Sequence, residues 1–238
     1  MEEGRENITL ELFLARHGES MGNVGIPAGA NGDHGDDPPL TEKGERQAAL
    51  LGELCSRVAF DAVLASGLTR AVQTAAAIAL RQPGGAAVQV HPLFTECGVA
   101  ADYGVKTMAE IRSFCPFAEP APGADPAESF VYAAGAEDDP ARFRRAGEAL
   151  AYLRRRFSHG ERVFVAGHGA FNTVFLFAAL GFAAAPAFDL AICNTGLSKL
   201  VFYAPGTGPY GADTHLIFHN DHAHLAAGGD CSFLFALK

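Results

Sequence analysis

Four stretches of this chain carry residues able to hold an anion and move a proton: Arg16-His17-Gly18, Arg70, Glu96, and His168 between two glycines. The first ends the run "LELFLARHGES" (Leu10 to Ser20), where an apolar segment passes abruptly into a cation, an imidazole and a glycine. Arginine offers planar, bidentate donors matched to phosphate oxygens. A neutral imidazole can attack phosphorus, and a glutamate can protonate a departing alcohol. Gly18 and Gly169 would let backbone approach an anion closely, and helix N-termini favour negative charge. Two histidines, two arginines and one carboxylate therefore suit phosphoryl transfer. That reaction needs neutralised equatorial oxygens, an in-line nucleophile and help for the leaving group.

These residues are far apart in sequence, so secondary structure must gather them. Periodicity predicts a strand over Ile8–Ala15, then a helix capped by Thr41 and running to about Arg57, with Ala48, Leu51, Leu54 and Cys55 on one face. "FDAVLAS" (Phe60 to Ser66) reads as a strand and "LTRAVQTAAAIALR" as an Ala-rich helix. "AAVQVHPLF" is a third strand, "RFRRAGEALAYLRRRF" an amphipathic helix, and "ERVFVAGHG" a strand bounded by glycine. "AFNTVFLFAALG" continues as a helix, and "GLSKLVFYA" and "THLIFHN" finish as strands. Alternating strands and helices imply a largely parallel sheet covered on both faces. In such a sheet the C-terminal strand ends share one edge, where open α/β sheets bind ligands. Arg16 and His17, Arg70, Glu96 and His168 each follow a different strand, so all are expected at that edge.

Two segments depart from the alternation. Residues 22–39, "GNVGIPAGANGDHGDDPP", are expected to form a long loop after the first strand, and the Pro- and Ala-rich residues 98–137 a cap inserted into one domain spanning 1–238. Both are placed to shape a pocket. At 238 residues and 49% hydrophobic content the chain can bury a full core. Its net charge of −9 argues against binding nucleic acid or an anionic membrane, although a pocket for a small anion is a local matter. No stretch reaches the roughly 20 apolar residues that span a bilayer. The acidic "MEEGRENITL" lacks the apolar core of a signal peptide. The cysteines (Cys55, Cys97, Cys115, Cys193, Cys231) are odd in number and scattered, which fits reduced thiols in a cytoplasm.

Taken in order, "RHGES" with Asn23, "PLTEKGERQA", "SGLTRAVQTA", Glu96, "GHGAFN", "NTG" and "NDHAHL" resemble the histidine phosphatase superfamily, which includes the cofactor-dependent phosphoglycerate mutases. The resemblance runs from residue 13 to 225. It implies a three-layer α/β sandwich with a mostly parallel central sheet flanked by helices. By the same resemblance His17 is the nucleophile that becomes phosphohistidine, and Arg16, Arg70 and His168 cradle the transferring group. Asn23 adds a hydrogen bond, and Glu96 is the proton donor. It implies no metal or other cofactor, and a small phosphorylated metabolite as substrate.

Other readings of the same residues are weaker. "FTECGV" lacks the arginine and aromatic-glycine pattern that follows this glutamate in the mutase branch, so hydrolysis is expected over mutase chemistry. If Glu96 is not the acid, Asp102 or the Asp36-Asp37 pair is the alternative. His219, His222 and His224 lie close enough in sequence to suggest zinc, but the family has a similar pattern here without metal. "GHGAFN" matches half of a dinucleotide fingerprint, with Asn172 where the third glycine would be. No P-loop is present, and no cysteine is followed six residues later by an arginine. Arg142, Arg144 and Arg145 are read as a solvated helix face that could also line the pocket. A non-catalytic phosphate-binding protein is the reading from another class. The apolar end "CSFLFALK" reads as an edge strand or a homodimer contact.

Overall fold

A computed structural model describes residues 5–25, 37–103, 105–125 and 127–228. Most of the glycine-rich loop, with Asp36, falls outside the described residues, as do Cys231 and the segment "CSFLFALK". Strand β1 (Ile8–Arg16) is followed by α1 (Glu42–Cys55), β2 (Ala62–Ala65), α2 (Thr69–Ala79) and β3 (Val88–Val90). Then come α3 (Met108–Phe114), β4 (Ala118–Pro120), α4 (Asp139–Arg156), β5 (Glu161–Gly167), α5 (Gly169–Ala179), β6 (Leu197–Tyr203) and β7 (Thr214–Asp221).

The seven strands form one sheet in the order β4-β3-β2-β5-β1-β6-β7. The five from β4 to β1 pair in parallel, β6 runs antiparallel to β1, and β7 antiparallel to β6. The expected α/β sandwich with a mostly parallel sheet is what the chain adopts. Its interior follows from residue alternation along the buried strands. Leu10, Leu12, Leu14, Val163 and Val165 face Ala146, Leu153, Phe171 and Phe175 of α4 and α5. Phe13, Ala15, Val63, Phe164 and Ala166 face Leu51, Val72, Ile78 and Ile111 of α1, α2 and α3 on the other side.

Helix starts match their sequence cues. The Thr41 hydroxyl accepts the Gly44 N–H at 3.0 Å, and Asp138 caps α4 through Ala141 N–H at 2.8 Å with Pro140 in the first turn. Arg154, Arg155 and Arg156 end α4, where cations offset the helix dipole. Among the described residues, no helix is long and apolar enough to cross a membrane, and Cys55, Cys97, Cys115 and Cys193 are unpaired.

The segment expected to be a cap is only partly separate from the sheet. Its residues 108–120 supply α3 and β4, and β4 pairs in parallel with β3 at the sheet edge. A three-residue strand ending in proline has no periodicity to read, and proline is tolerated there because the strand is at the edge. The flanking parts contact the edge where the strands end. Phe130 is buried beside Gly67, and the Tyr132 N–H reaches the Thr95 hydroxyl at 3.1 Å.

Two glycines set how α1 meets the end of β1. A Cβ on Gly44 would lie 1.9 Å from the Glu19 carbonyl oxygen, and one on Gly18 would lie 2.5 Å from the Gly44 carbonyl oxygen. The room that Gly18 leaves is therefore taken by helix α1 rather than reserved for a ligand, which corrects the expectation from sequence. Gly44→Ala should cost about 2 kcal/mol or more, because backbone must move on both sides of the contact. Urea unfolding of the variant would show it as a lowered midpoint.

Candidate active site

Register brings the first two groups together. Arg16 of β1 lies opposite Gly167 of β5, and the His17 N–H donates to the Gly167 carbonyl at 3.0 Å. The side chains that follow, His17 and His168, sit with ring centroids 5.1 Å apart. Asn172 ties the same two strand ends together. Its Oδ1 accepts the His168 N–H at 3.3 Å, and its Nδ2 donates to the Ala15 carbonyl at 3.1 Å. The asparagine in "GHGAFN" is thus a strand clamp, and the fragment needs no dinucleotide to explain it.

His17 is buried, with Nδ1 at 2.6 Å from the Gly18 carbonyl oxygen. A carbonyl only accepts, so the proton is on Nδ1 and the lone pair on Nε2. The Arg70 Nε–H points at that lone pair from 3.2 Å. Burial, then the Arg70 and Arg16 cations, holds the His17 imidazole well below the usual histidine range. His168 is fully buried and is pushed down in the same way, first by burial and then by Arg70, His17 and Arg16. Neither of its ring nitrogens has a hydrogen-bond partner, nor does the buried Arg16 Nε. Unsatisfied buried polar groups cost about 1–3 kcal/mol each, so their clustering around His17 marks a place built to meet a polar ligand.

The arginines are held from behind. The Arg16 Nη1 donates to the Ile192 carbonyl at 2.9 Å. Arg70, at the start of α2, lies 3.8 Å from Asp37 through Nη1. Asp37 also accepts from the Thr69 N–H at 2.9 Å and hydroxyl at 2.6 Å, and pairs with Lys106 at 2.7 Å. Asp37 therefore anchors α2 and Arg70, and its carboxylate is fully engaged. Asp102 is exposed.

Glu96 is half-buried at the N-terminus of α5. Its Oε1 accepts the N–H groups of Phe171 at 2.8 Å and Cys97 at 2.9 Å, and its Oε2 that of Ala170 at 3.3 Å. Its charge acts on both Arg16 and Arg70. Behind it, Arg145 is no solvated residue. It is buried, pairs with Glu137 at 2.5 Å, and donates to the Thr95 carbonyl at 2.6 Å, against the face of Phe171. Glu137 belongs to the inserted segment, so this buried pair joins that segment to the turn that carries Glu96.

Asn23 reaches the site indirectly. Its Oδ1 accepts from the Ser20 N–H at 3.1 Å and from Asn194 Nδ2 at 3.2 Å, and Asn194 Nδ2 also donates to the His17 carbonyl at 3.0 Å. Sequence reasoning assigned no role to Asn194; its only trace was the "NTG" motif. The next residue, Thr195, has φ 55°, an unusual conformation for a β-branched residue. Its N–H donates to the Arg16 carbonyl at 3.1 Å, and its hydroxyl lies 3.0 Å from His224 Nε2. His219 meets Ser198 and the Ala191 carbonyl, both at 3.0 Å, and His222 meets the Asn220 carbonyl at 2.8 Å. The three tail histidines thus point at separate partners, and among the described residues no group of three ligating side chains could hold a metal.

Arg16, His17, Arg70, Glu96 and His168 therefore surround one spot, with Asn23 at its rim through Asn194. Residues 12–208 match the histidine phosphatase superfamily (branch 1). The chain belongs to that superfamily. It is 47% identical over 66 residues to the adenosylcobalamin/alpha-ribazole phosphatase of Salmonella typhimurium, a match spanning 28% of this chain and 31% of that enzyme. Its fold is similar to that of a mycobacterial glucosyl-3-phosphoglycerate phosphatase, with TM-score 0.58 and 22% identity over 88% of this chain and 98% of that one. The phosphoserine phosphatase of Entamoeba histolytica, in complex with 3-phosphoglyceric acid, also has TM-score 0.58 and 22% identity, over 91% and 99% of the two chains.

His17 and His168 of the candidate site, together with His91 and His224 elsewhere in the chain, are held neutral, and this predicts acid sensitivity of the fold. His91 and His224 are pushed down to about 4, chiefly by burial, alongside the stronger lowering at His17 and His168. In the unfolded chain each titrates near about 6.5. Between that value and the folded one, the unfolded state binds protons that the native state does not. Stability is therefore full above pH 6.5 and falls as pH drops toward 4, by up to about 1.4 kcal/mol per pH unit for each such histidine. Urea midpoints should be level from pH 8 to 7 and drop between 6.5 and 5; a flat profile would contradict the neutral assignment.

Proposed function

We propose that this protein is a phosphatase that hydrolyses a small phosphomonoester through a phosphohistidine on His17. The observation that carries the reading is the state of His17: neutral, buried, its proton fixed on Nδ1 and its Nε2 lone pair turned toward Arg70, with the His168 ring beside it. A substrate phosphoryl group would draw the Arg70 and Arg16 donors onto its oxygens and free the Nε2 lone pair. His168, which has ring nitrogens to offer, and the amide of Asn23 would complete the cradle. Nε2 then attacks phosphorus, the ester P–O bond breaks, and Glu96, which takes up a proton as the dianionic phosphoryl group enters, gives that proton to the departing oxygen. In the second half Glu96 takes a proton from water, the water oxygen attacks phosphorus, and the P–N bond breaks to release inorganic phosphate. No step requires a metal.

Belonging to the superfamily leaves open whether the group goes to water or back to a substrate. Hydrolysis is favoured by what surrounds the site. A mutase must hold a second anionic group with spare cations, and Lys106, the next base after Glu96 in sequence, is committed to Asp37 and to Thr69 at 3.2 Å. We read the whole chain as one domain, with the parts of residues 98–137 outside α3 and β4 acting as its cap. The Glu137–Arg145 pair and the Lys106–Asp37 pair would fasten that cap to the core.

His17→Ala should abolish phosphate release from an aryl phosphate, and the acid-labile phosphoenzyme trapped from the parent should vanish with it. Full turnover in that variant would rule out His17 as nucleophile. Glu96→Gln should lower kcat by about 10²-fold or more, in the range general acid catalysis contributes. Coupled conversion of 3- to 2-phosphoglycerate without phosphate release would instead identify a mutase.

A further inference from the structure

A groove of about 480 Å³ opens beside the candidate site, with Arg16, Gly169 and Ala170 in the part of its lining nearest that site. That part borders Glu96, because the Ala170 N–H is the donor 3.3 Å from Glu96 Oε2. In the reading above Glu96 protonates the leaving oxygen, so whatever is attached to that oxygen starts there. The groove is of the size that accepts a small organic ligand, about 300–1,000 Å³.

Its walls are largely hydrocarbon. Phe143 of α4, Val174 and Phe177 of α5, and Phe188 and Leu190 of the following segment line it. Phe188 is 56% exposed, and it stands edge-on to Phe177 at 5.6 Å. It also packs against Phe182 at 6.2 Å, so its exposed aromatic surface is held in place for an apolar partner. Charge in the groove also selects. Beyond Arg16, the cation that lines it is Arg142, which is paired with Asp139 at 3.3 Å, and Asp189 adds a second carboxylate to the lining. With Arg16 the lining carries two cations and two carboxylates, so it offers no net positive charge to a substrate carboxylate or second phosphate.

We infer that this groove receives the non-phosphate part of the substrate, and that this part is a bulky apolar alcohol, aryl or similarly flat, without a second anionic group. The inference rests on the phosphatase reading for its orientation. It selects among the substrates that reading allows: aryl-type phosphomonoesters over compact polyanions such as phosphoglycerates. Ala170 and Arg16 then join the two halves of the site, with the phosphoryl group on one side and the apolar arm on the other.

Binding can be measured without turnover, using 1-naphthylphosphonate and methylphosphonate in calorimetry. The parent should bind the naphthyl compound at least tenfold more tightly than the methyl one. Phe188→Ala and Leu190→Ala should each bring that ratio down severalfold, with thermal melts confirming that both variants remain folded. A parent ratio near one, or a ratio unchanged by both substitutions, would overturn the groove assignment, as would failure of the naphthyl phosphonate to bind. Self-association in sedimentation that Phe188→Ala abolishes would overturn it too, by making a second copy the occupant. Hydrolysis of 1-naphthyl phosphate is assayed separately. If the phosphonate ratio holds while the ester is never hydrolysed, the groove stands and the phosphatase reading fails.

Discussion

The parallel pairing of β1 with β5 places Arg16 opposite Gly167, and this delivers two histidines and an arginine into a space from which water is largely excluded. Four basic side chains, Arg16, His17, Arg70 and His168, cannot all be charged there, since each buried charge raises the cost of the next. The solution is a division of labour: the imidazoles stay neutral and the guanidiniums keep their charge by being held from behind. Arg16 is held by the Ile192 carbonyl and Arg70 by Asp37, while the Arg70 Nε–H faces the His17 lone pair and the Arg16 Nε is left without a protein partner.

Much of the surrounding structure serves that arrangement. The Cys193–Gly196 turn, pinned by Asn220 and His224, supports the Arg16 and His17 backbone from below. Helix α1 closes on Gly18 from one side, and Asn172 laces the ends of β1 and β5 from the other. The inserted segment reaches the site through two ion pairs. One, Glu137–Arg145, is almost fully buried and positions the turn before Glu96; the other, Lys106–Asp37, stands behind Arg70. A buried pair contributes little net stability but is costly to break one partner at a time, so these contacts fix geometry more than they add strength. The proposed phosphatase chemistry and apolar substrate arm would both depend on that geometry, because it fixes Glu96 between the two.

Sequence patterning determined the alternating strands and helices, the parallel sheet and the edge on which the reactive residues gather. It could do so because buried strands, capped helices and glycine turns are written in local residue order. The ordered motifs around His17, Arg70, Glu96 and His168 likewise carried the superfamily. Tertiary structure alone decided what depends on partners distant in the chain. Gly18 answers to Gly44 rather than to a ligand, Arg145 is buried on Glu137 rather than solvated, and Asp37 is an anchor rather than an acid. The short strand β4 exists because β3 offers an edge to pair with, and Asn194 matters because a turn more than 170 residues away carries it to His17. No local pattern encodes such contacts: a side chain's charge state, and what it may do, is set by neighbours that only the folded chain supplies.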